Sequence, residues 1–280
     1  MKRTLLMFMA AFVFATGFAQ TDTTGKNESS AKSDTIRIGG MIIIKKSGNK
    51  EITTEDKEIK IQRRSSYKNE NLTTNWWIVD IGFSNFTDNT NYSSAAAQSF
   101  APGSAKDWFD LRAGKSKNVN LWFFMQRLNM IKHVVNLKYG LGLELNNYSF
   151  DDERIRFQKN PTLVSIDNTL KDARKNKLAA DYLSLPMMLN FNFTPDHKSG
   201  FGLSGGISAG YLYSARQKTK IGGNVSKIHG DFDLNRWKLA YVGELLLGPV
   251  KLYGSYAFKN MWEKGLDQTP YTVGFRLSNW

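Results

Sequence analysis

The sequence predicts an all-β protein, an eight-stranded antiparallel transmembrane β-barrel with a short N-terminal periplasmic extension. Eight segments alternate apolar and polar residues with a period of two, and the connections between them alternate between long and short. The clearest segment is 134–147, in which Val135 to Leu145 place apolar side chains on one face. The other face carries Asn136, Lys138, Gly140, Gly142, Glu144 and Asn146. Such a strand is typical of a barrel wall between lipid and a filled interior.

The N-terminus predicts export. Lys2 and Arg3 precede an apolar run from Leu5 to Phe18, and small residues precede Gln20, so residues 1–19 are expected to be a cleaved signal peptide. An N-terminal membrane anchor is the alternative, but a spanning helix needs about 20 apolar residues. This run is shorter.

Residues 20–75 are predicted to be a periplasmic extension that is partly disordered, since 20–33 are polar and low in complexity. Two short strands are expected at Ile36 to Lys46 and at Lys57 to Gln62. The extension is then either a loosely ordered tail or a small β-element that pairs with a periplasmic protein or plugs the barrel mouth.

The barrel domain, residues 76–280, contains the eight predicted strands. They are expected at 76–86, 118–130, 134–147, 178–194, 200–217, 235–247, 250–259 and 270–280. The second is the least regular, with Val119, Leu121, Phe123 and Met125 assigned to the outer face and Phe124 to the inner one. Short turns and longer polar connections alternate along this domain, and the even strand number puts both ends on the periplasmic side.

A soluble calyx of the lipocalin type is the competing fold, because its strands also alternate. In a calyx the polar face would be the hydrated exterior. Here that face is rich in Gly, Ser and Asn, which favours the narrow interior of a membrane barrel.

Seven ionisable residues are expected to face the lumen. These are Asp80, Lys138, Glu144, Lys238, Glu244, Lys251 and Arg276. Eight strands enclose an interior just wide enough for side chains, so three acids and four bases should pair there. Glu244 and Lys251 lie on adjacent strands and are a natural pair. The alternative is that several of these side chains are hydrated at the rims.

The composition limits the classes of partner that the protein is expected to bind. The formal charge of +13 becomes +11 when Lys2 and Arg3 leave with the signal (13 − 2), but the basic residues are spread over many segments, which argues against nucleic acid. Anionic glycolipid is the expected counterpart. The candidate contact residues are Arg216, Lys218, Lys220 and Lys227. There is no cysteine, and no metal-ligand spacing or phosphate-binding loop predicts a metal or cofactor.

Three stretches resemble one protein family. They are DLRAGKSKNVNL (110–121), LELNNYSF (143–150) and YLSLPMMLNF (182–191). They are similar to the Bacteroidota-type outer-membrane β-barrel proteins, the group that includes the PorT-like barrels. The resemblance covers about 76–280 and implies residence in the outer membrane of a Gram-negative cell envelope, with membrane lipid and the barrel-assembly machinery as partners.

The expected function is a structural, surface-interaction or accessory role rather than catalysis. One alternative is a small barrel enzyme that acts on lipid A, because His229 lies near Ser226, Asp231 and Asp233 in the third long connection. A flexible loop often collects such residues without catalysing anything. The other alternative is a narrow pore.

Overall fold

The structure, a computed structural model, describes residues 34–38, 41–45, 70–195 and 200–278. The chain divides into two units, residues 1–66 and 67–280. In the first unit β1 (Asp34–Ile38) pairs antiparallel with β2 (Met41–Lys45). The single strand predicted from Ile36 to Lys46 is therefore wrong, since the described residues form two shorter strands that pair with each other. The strand predicted at Lys57 to Gln62 lies outside the described residues.

The second unit is a closed antiparallel barrel. Its eight wall strands are β3 (Leu72–Asp88), β4 (Lys117–Ile131), β5 (Val135–Ser149), β8 (Ala173–Asn192), β9 (Phe201–Ile221), β11 (Trp237–Leu247), β12 (Val250–Ala257) and β13 (Gln268–Leu277). The connections add β6 (Ile155–Gln158), β7 (Leu163–Ile166) and β10 (Asn224–His229). The order around the ring is β3, β4, β5, β8, β9, β11, β12 and β13, and β13 pairs with β3. The predicted eight-stranded barrel is confirmed.

The faces of the strands follow the period-two pattern except where bulges shift the register. On β5 the residues from Asn136 to Asn146 alternate between buried and half-buried as predicted. On β4 the prediction is wrong from Phe124 onwards, because Met125 is fully buried in the lumen whereas Phe124 is partly exposed and contacts Trp76. A β-bulge between Trp122 and Phe124 adds one residue and inverts the faces beyond it.

A belt of exposed apolar side chains surrounds the barrel. It includes Ile81, Phe83, Leu185, Met187, Leu189, Leu203, Ile207, Leu239, Leu245, Val273 and Phe275. Aromatic residues border it on both sides: Trp76, Trp77 and Phe193 towards the short turns, and Tyr211, Tyr213 and Trp237 towards the long connections. This arrangement is characteristic of a barrel embedded in a bilayer. No helix within the described ranges is long and apolar enough to cross a membrane.

The connections alternate as predicted, with short turns at one end of the barrel (the turn end) and long connections at the other (the loop end). The first long connection contains α1 (Ala95–Phe100), which begins after Ser94, whose Oγ accepts a hydrogen bond from the Ala97 N–H at 3.2 Å. The long connections close over the loop end on buried apolar side chains, here called the cap core. The cap core contains Phe100, Phe109, Tyr148, Phe150, Phe157, Phe232, Leu234 and Trp262.

Candidate functional site

The lumen is organised by an ion pair between neighbouring strands. Arg276 of β13 stands directly opposite Asp80 of β3. Its Nε and Nη2 donate to the two Asp80 carboxylate oxygens, both at 2.7 Å, which is the bidentate geometry preferred by Arg and carboxylate. Trp122 Nε1 donates to the same carboxylate at 2.7 Å. Asp80 is fully buried, so this charge is compensated by partners rather than by water.

Two further ion pairs cross the lumen between β5 and β11. Lys138 pairs with Glu244, and Lys238 pairs with Glu144. The acid and the base stand in the same six-residue spacing on both strands, 138 to 144 and 238 to 244. Because β5 and β11 run in opposite directions along the barrel axis, the lysine of each strand lies opposite the glutamate of the other strand.

Glu244 joins the two parts of this network, since it also accepts a hydrogen bond from Arg276. Ser204 Oγ donates to Glu244 at 3.3 Å, and Ser184 Oγ donates to Glu144 at the same distance. The three buried acids are therefore matched by three buried bases. We call the six charged residues the lumen network: Asp80, Lys138, Glu144, Lys238, Glu244 and Arg276.

The expected pair between Glu244 and Lys251 does not form. Lys251 stands opposite Leu246, two positions from Glu244 along β11, and its Nζ donates to the Ser278 carbonyl and hydroxyl at 2.6 and 2.9 Å. The fourth base therefore lies near the turn end, apart from the lumen network.

The lumen leaves little empty volume. A cavity of about 30 Å³ lies among Trp122, Met188, Glu244 and Arg276, which is room for about one water molecule. Trp122 fits because β5 has a glycine opposite it: a Cβ at Gly142 would lie 2.7 Å from Trp122 Cε3. The side chains around Trp122, Glu244 and Arg276 thus fill this part of the lumen.

A row of lysines lies on the outer wall beyond the aromatic border of the loop end. Lys218 of β9 stands opposite Lys177 of β8 on one side and opposite Lys227 of β10 on the other. Lys220 stands opposite Lys175 in the next row. We call these five residues the basic ladder. Like charges directly opposite each other on a sheet are destabilising, so this register has a cost in the isolated protein.

None of the five lysines forms a salt bridge within the part of the chain that the structure describes. Lys177 donates a hydrogen bond to the Asn147 side chain. Burial of Lys177, together with the charges of Lys175, Lys218 and Arg216, lowers its pKa to about 8, and Asp181 offsets this only in part. The ladder is thus a surface with excess positive charge.

Arg216, the fourth residue predicted to contact glycolipid, differs from Lys218, Lys220 and Lys227. It stands next to the ladder on the same strand, but its guanidinium pairs with the buried Asp181 carboxylate. Sequence reasoning missed Lys175 and Lys177, since it started the fourth strand at residue 178 whereas β8 begins at Ala173.

The cluster around His229 is not assembled. Ser226 and His229 are three residues apart on β10, so their side chains point to opposite faces of the strand. Asp233 pairs with Lys264 at 3.1 Å. No hydrogen bond of the described residues links the His229 side chain to Ser226, Asp231 or Asp233. Likewise, no group of three or more His, Asp or Glu residues in the described ranges could hold a metal ion.

Comparison with protein families agrees with this architecture. A family model described as an outer membrane protein beta-barrel domain matches residues 79–258. Comparison with the curated proteins finds no match.

Proposed function

Because the chain belongs to the family of outer membrane proteins with a beta-barrel domain, we propose that it is a closed barrel with a structural and surface-interaction role, binding anionic glycolipid on its outer wall. One observation carries this proposal: Lys177, Lys218 and Lys227 stand side by side in register. A phosphate group bound between them would remove the repulsion that the register creates.

The position of the ladder supports a lipid ligand. Lys218 lies five residues beyond Tyr213 on β9, on the loop-end side of the aromatic border, and aromatic residues of outer-membrane barrels mark the level of the lipid headgroups. A lipid A molecule whose acyl chains cover the apolar belt would extend its phosphates towards the side of the barrel on which the lysines lie.

The orientation follows the usual rule for these barrels, with the loop end at the cell surface and both termini in the periplasm. We further propose that residues 1–19 are removed on export, that the barrel-assembly machinery inserts the barrel, and that the extension, residues 20–75, has a periplasmic protein partner. The three stretches quoted above support placing the chain in the Bacteroidota-type, PorT-like group.

Binding of lipid A to the purified barrel in nanodiscs tests the proposal. The test variant replaces three ladder lysines, Lys177, Lys218 and Lys227, by Gln, and the control replaces three exposed lysines of the long connections, Lys106, Lys115 and Lys171. A basic residue near an anionic lipid surface contributes about 1 kcal/mol, so the test variant should bind roughly 100-fold more weakly.

The control variant should bind like the wild type, and rising salt should weaken wild-type binding. Equal losses in both variants, or binding that is insensitive to salt, would contradict a site at the ladder. Lipid A stripped of its phosphates serves as the ligand control, because it should bind no better to the wild type than to the test variant.

A further inference from the structure

The barrel wall is interrupted between β11 and β12 near the loop end. The paired residues of these strands end at Ala240 and Ala257, and the Phe258 N–H then donates to the Leu239 carbonyl at 2.8 Å. Beyond that bond the backbone segments before β11 and after β12 no longer pair directly.

The next backbone bond closes the far side of this gap, where the Asn235 N–H donates to the Met261 carbonyl at 2.8 Å. On the opposite edge of β11 the Arg236 carbonyl accepts from the Leu212 N–H of β9. The alternation of an antiparallel ladder then turns the N–H and C=O of Trp237 towards the gap, where no described residue bonds them. We call this gap the window.

A cavity of about 420 Å³ passes through the window. Its volume falls in the range of about 300 to 1,000 Å³ that is typical of small-ligand sites. Trp237, Leu239 and Phe258 line its outer part, and all three are exposed side chains at the edge of the apolar belt. Tyr182 and Lys238 line its inner end, where Lys238 is held by Glu144.

The rim of the cavity is polar and positively charged. Arg236 and Lys259 are exposed there, against the single acid Glu263, which leaves a net charge of +1 (two bases, one acid). Neither base forms a salt bridge with a described residue. The ring of Trp237 packs edge-on against Tyr211 at 5.1 Å, which places the window at the aromatic border of the belt.

We propose that the window binds a single-chain anionic amphiphile, a fatty acid, that enters sideways from the outer leaflet. The chain would lie against Trp237, Leu239 and Phe258, which continue the apolar belt into the cavity. The carboxylate would lie at the rim, where the Arg236 and Lys259 side chains and the backbone N–H of Trp237 would donate hydrogen bonds to it. One opening of this size suits one acyl chain rather than the several chains of a glycolipid.

Photolabelling locates such a ligand. The full-length barrel in nanodiscs of zwitterionic phospholipid is labelled with a diazirine fatty acid, and the modified peptides are mapped by mass spectrometry. Labels should concentrate on residues 235–239 and 257–261. Lauric acid should compete, and dodecan-1-ol should compete about tenfold less well, since it lacks the charge-assisted hydrogen bonds of a carboxylate.

Two substitutions on the same outward face of β11 form a matched pair. Leu239→Trp narrows the mouth of the cavity and should reduce labelling to background. Leu247→Trp lies outside the cavity and should leave the labelling unchanged. The two leucines are similarly exposed, at 48% and 41%. Equal labelling of both variants, or labels spread over the belt, would show only bilayer contact and would overturn the proposal.

A second variant guards against a folding defect in Leu239→Trp. Replacing Arg236 and Lys259 by Gln leaves the wall intact and should abolish the preference for acid over alcohol. An unchanged preference would overturn the assignment of the carboxylate to the rim. Substitution of the ladder lysines should not alter labelling of the window, so failure of this proposal and failure of glycolipid binding are distinguishable.

Discussion

Substitution of Glu244 by Ala tests the lumen network at the acid that pairs with two bases. Glu244 is 6% exposed and accepts hydrogen bonds from Lys138, Arg276 and Ser204. Its removal takes away a carboxylate that pairs with Lys138 and one of the two that pair with Arg276. Loss of one partner from a buried ion pair costs about 3 to 5 kcal/mol, because the remaining charge is left in a low-dielectric interior.

Lys251→Ala is the matched comparison on the neighbouring strand. Lys251 is also buried, but it is held by two hydrogen bonds to Ser278 and not by a carboxylate. Its loss should cost only about 1.5 to 3 kcal/mol, the range for hydrogen bonds to a charged group. Glu244→Ala should therefore be clearly the more destabilising of the two.

The assay is urea unfolding of the barrel in lipid vesicles, followed by tryptophan fluorescence. The double variant Lys138→Met with Glu244→Leu should lose less free energy of unfolding than Glu244→Ala alone, because it removes a base and an acid together. If Glu244→Ala were within about 0.5 kcal/mol of wild type, as surface substitutions are, the network would not be a buried ionic core.

Three further outcomes follow from the site and the cap. Lipid A binding should weaken as the pH rises from about 7 to about 9, because Lys177, with a pKa of about 8, loses the positive charge that attracts the phosphate. In binding titrations, Lys177→Arg should make the affinity less dependent on pH, since a guanidinium stays protonated. Phe157→Ala should cost the cap core about 3 to 5 kcal/mol and speed limited proteolysis of the long connections while the barrel remains folded. His229→Ala should leave the lipid A profile of expressing cells unchanged by mass spectrometry; a profile altered by the wild type alone would favour the enzyme.

The alternation of apolar and polar residues predicts the number of barrel strands. For nearly all strand positions it also predicts whether the side chain faces lipid or the lumen. On β5 each residue from Asn136 to Asn146 lies on its predicted side, because lipid and lumen impose opposite requirements on successive positions. On β4 the same reasoning failed at Phe124 and Met125. Both faces of that strand are apolar, so nothing in the pattern marks the bulge that inverts them.

The pairing within the lumen could not be read from the sequence. Lys138 and Glu244 lie on strands that are not neighbours, and which residues meet across the lumen depends on the stagger of all the strands between them. The equal spacing of lysine and glutamate on β5 and β11 is visible in the sequence, but the period-two pattern does not show at which depth of the barrel each of these side chains lies.

The cap core was missed for a different reason. Phe150, Phe157, Phe232 and Trp262 are isolated aromatics in polar segments, so no periodicity marks them as buried. The long connections fold on one another only because the barrel brings their ends together. The basic ladder likewise depends on β8 and β9 extending beyond the apolar belt, which composition alone does not show.

Conductance of the purified wild-type barrel in a planar lipid bilayer tests the central claim, a lumen closed by its own ion pairs. With a cavity of about 30 Å³ among the lumen side chains, we predict no steady current at any moderate voltage or salt concentration. A stable, ohmic open state of the folded wild type would contradict this and would identify a narrow, water-filled pore instead.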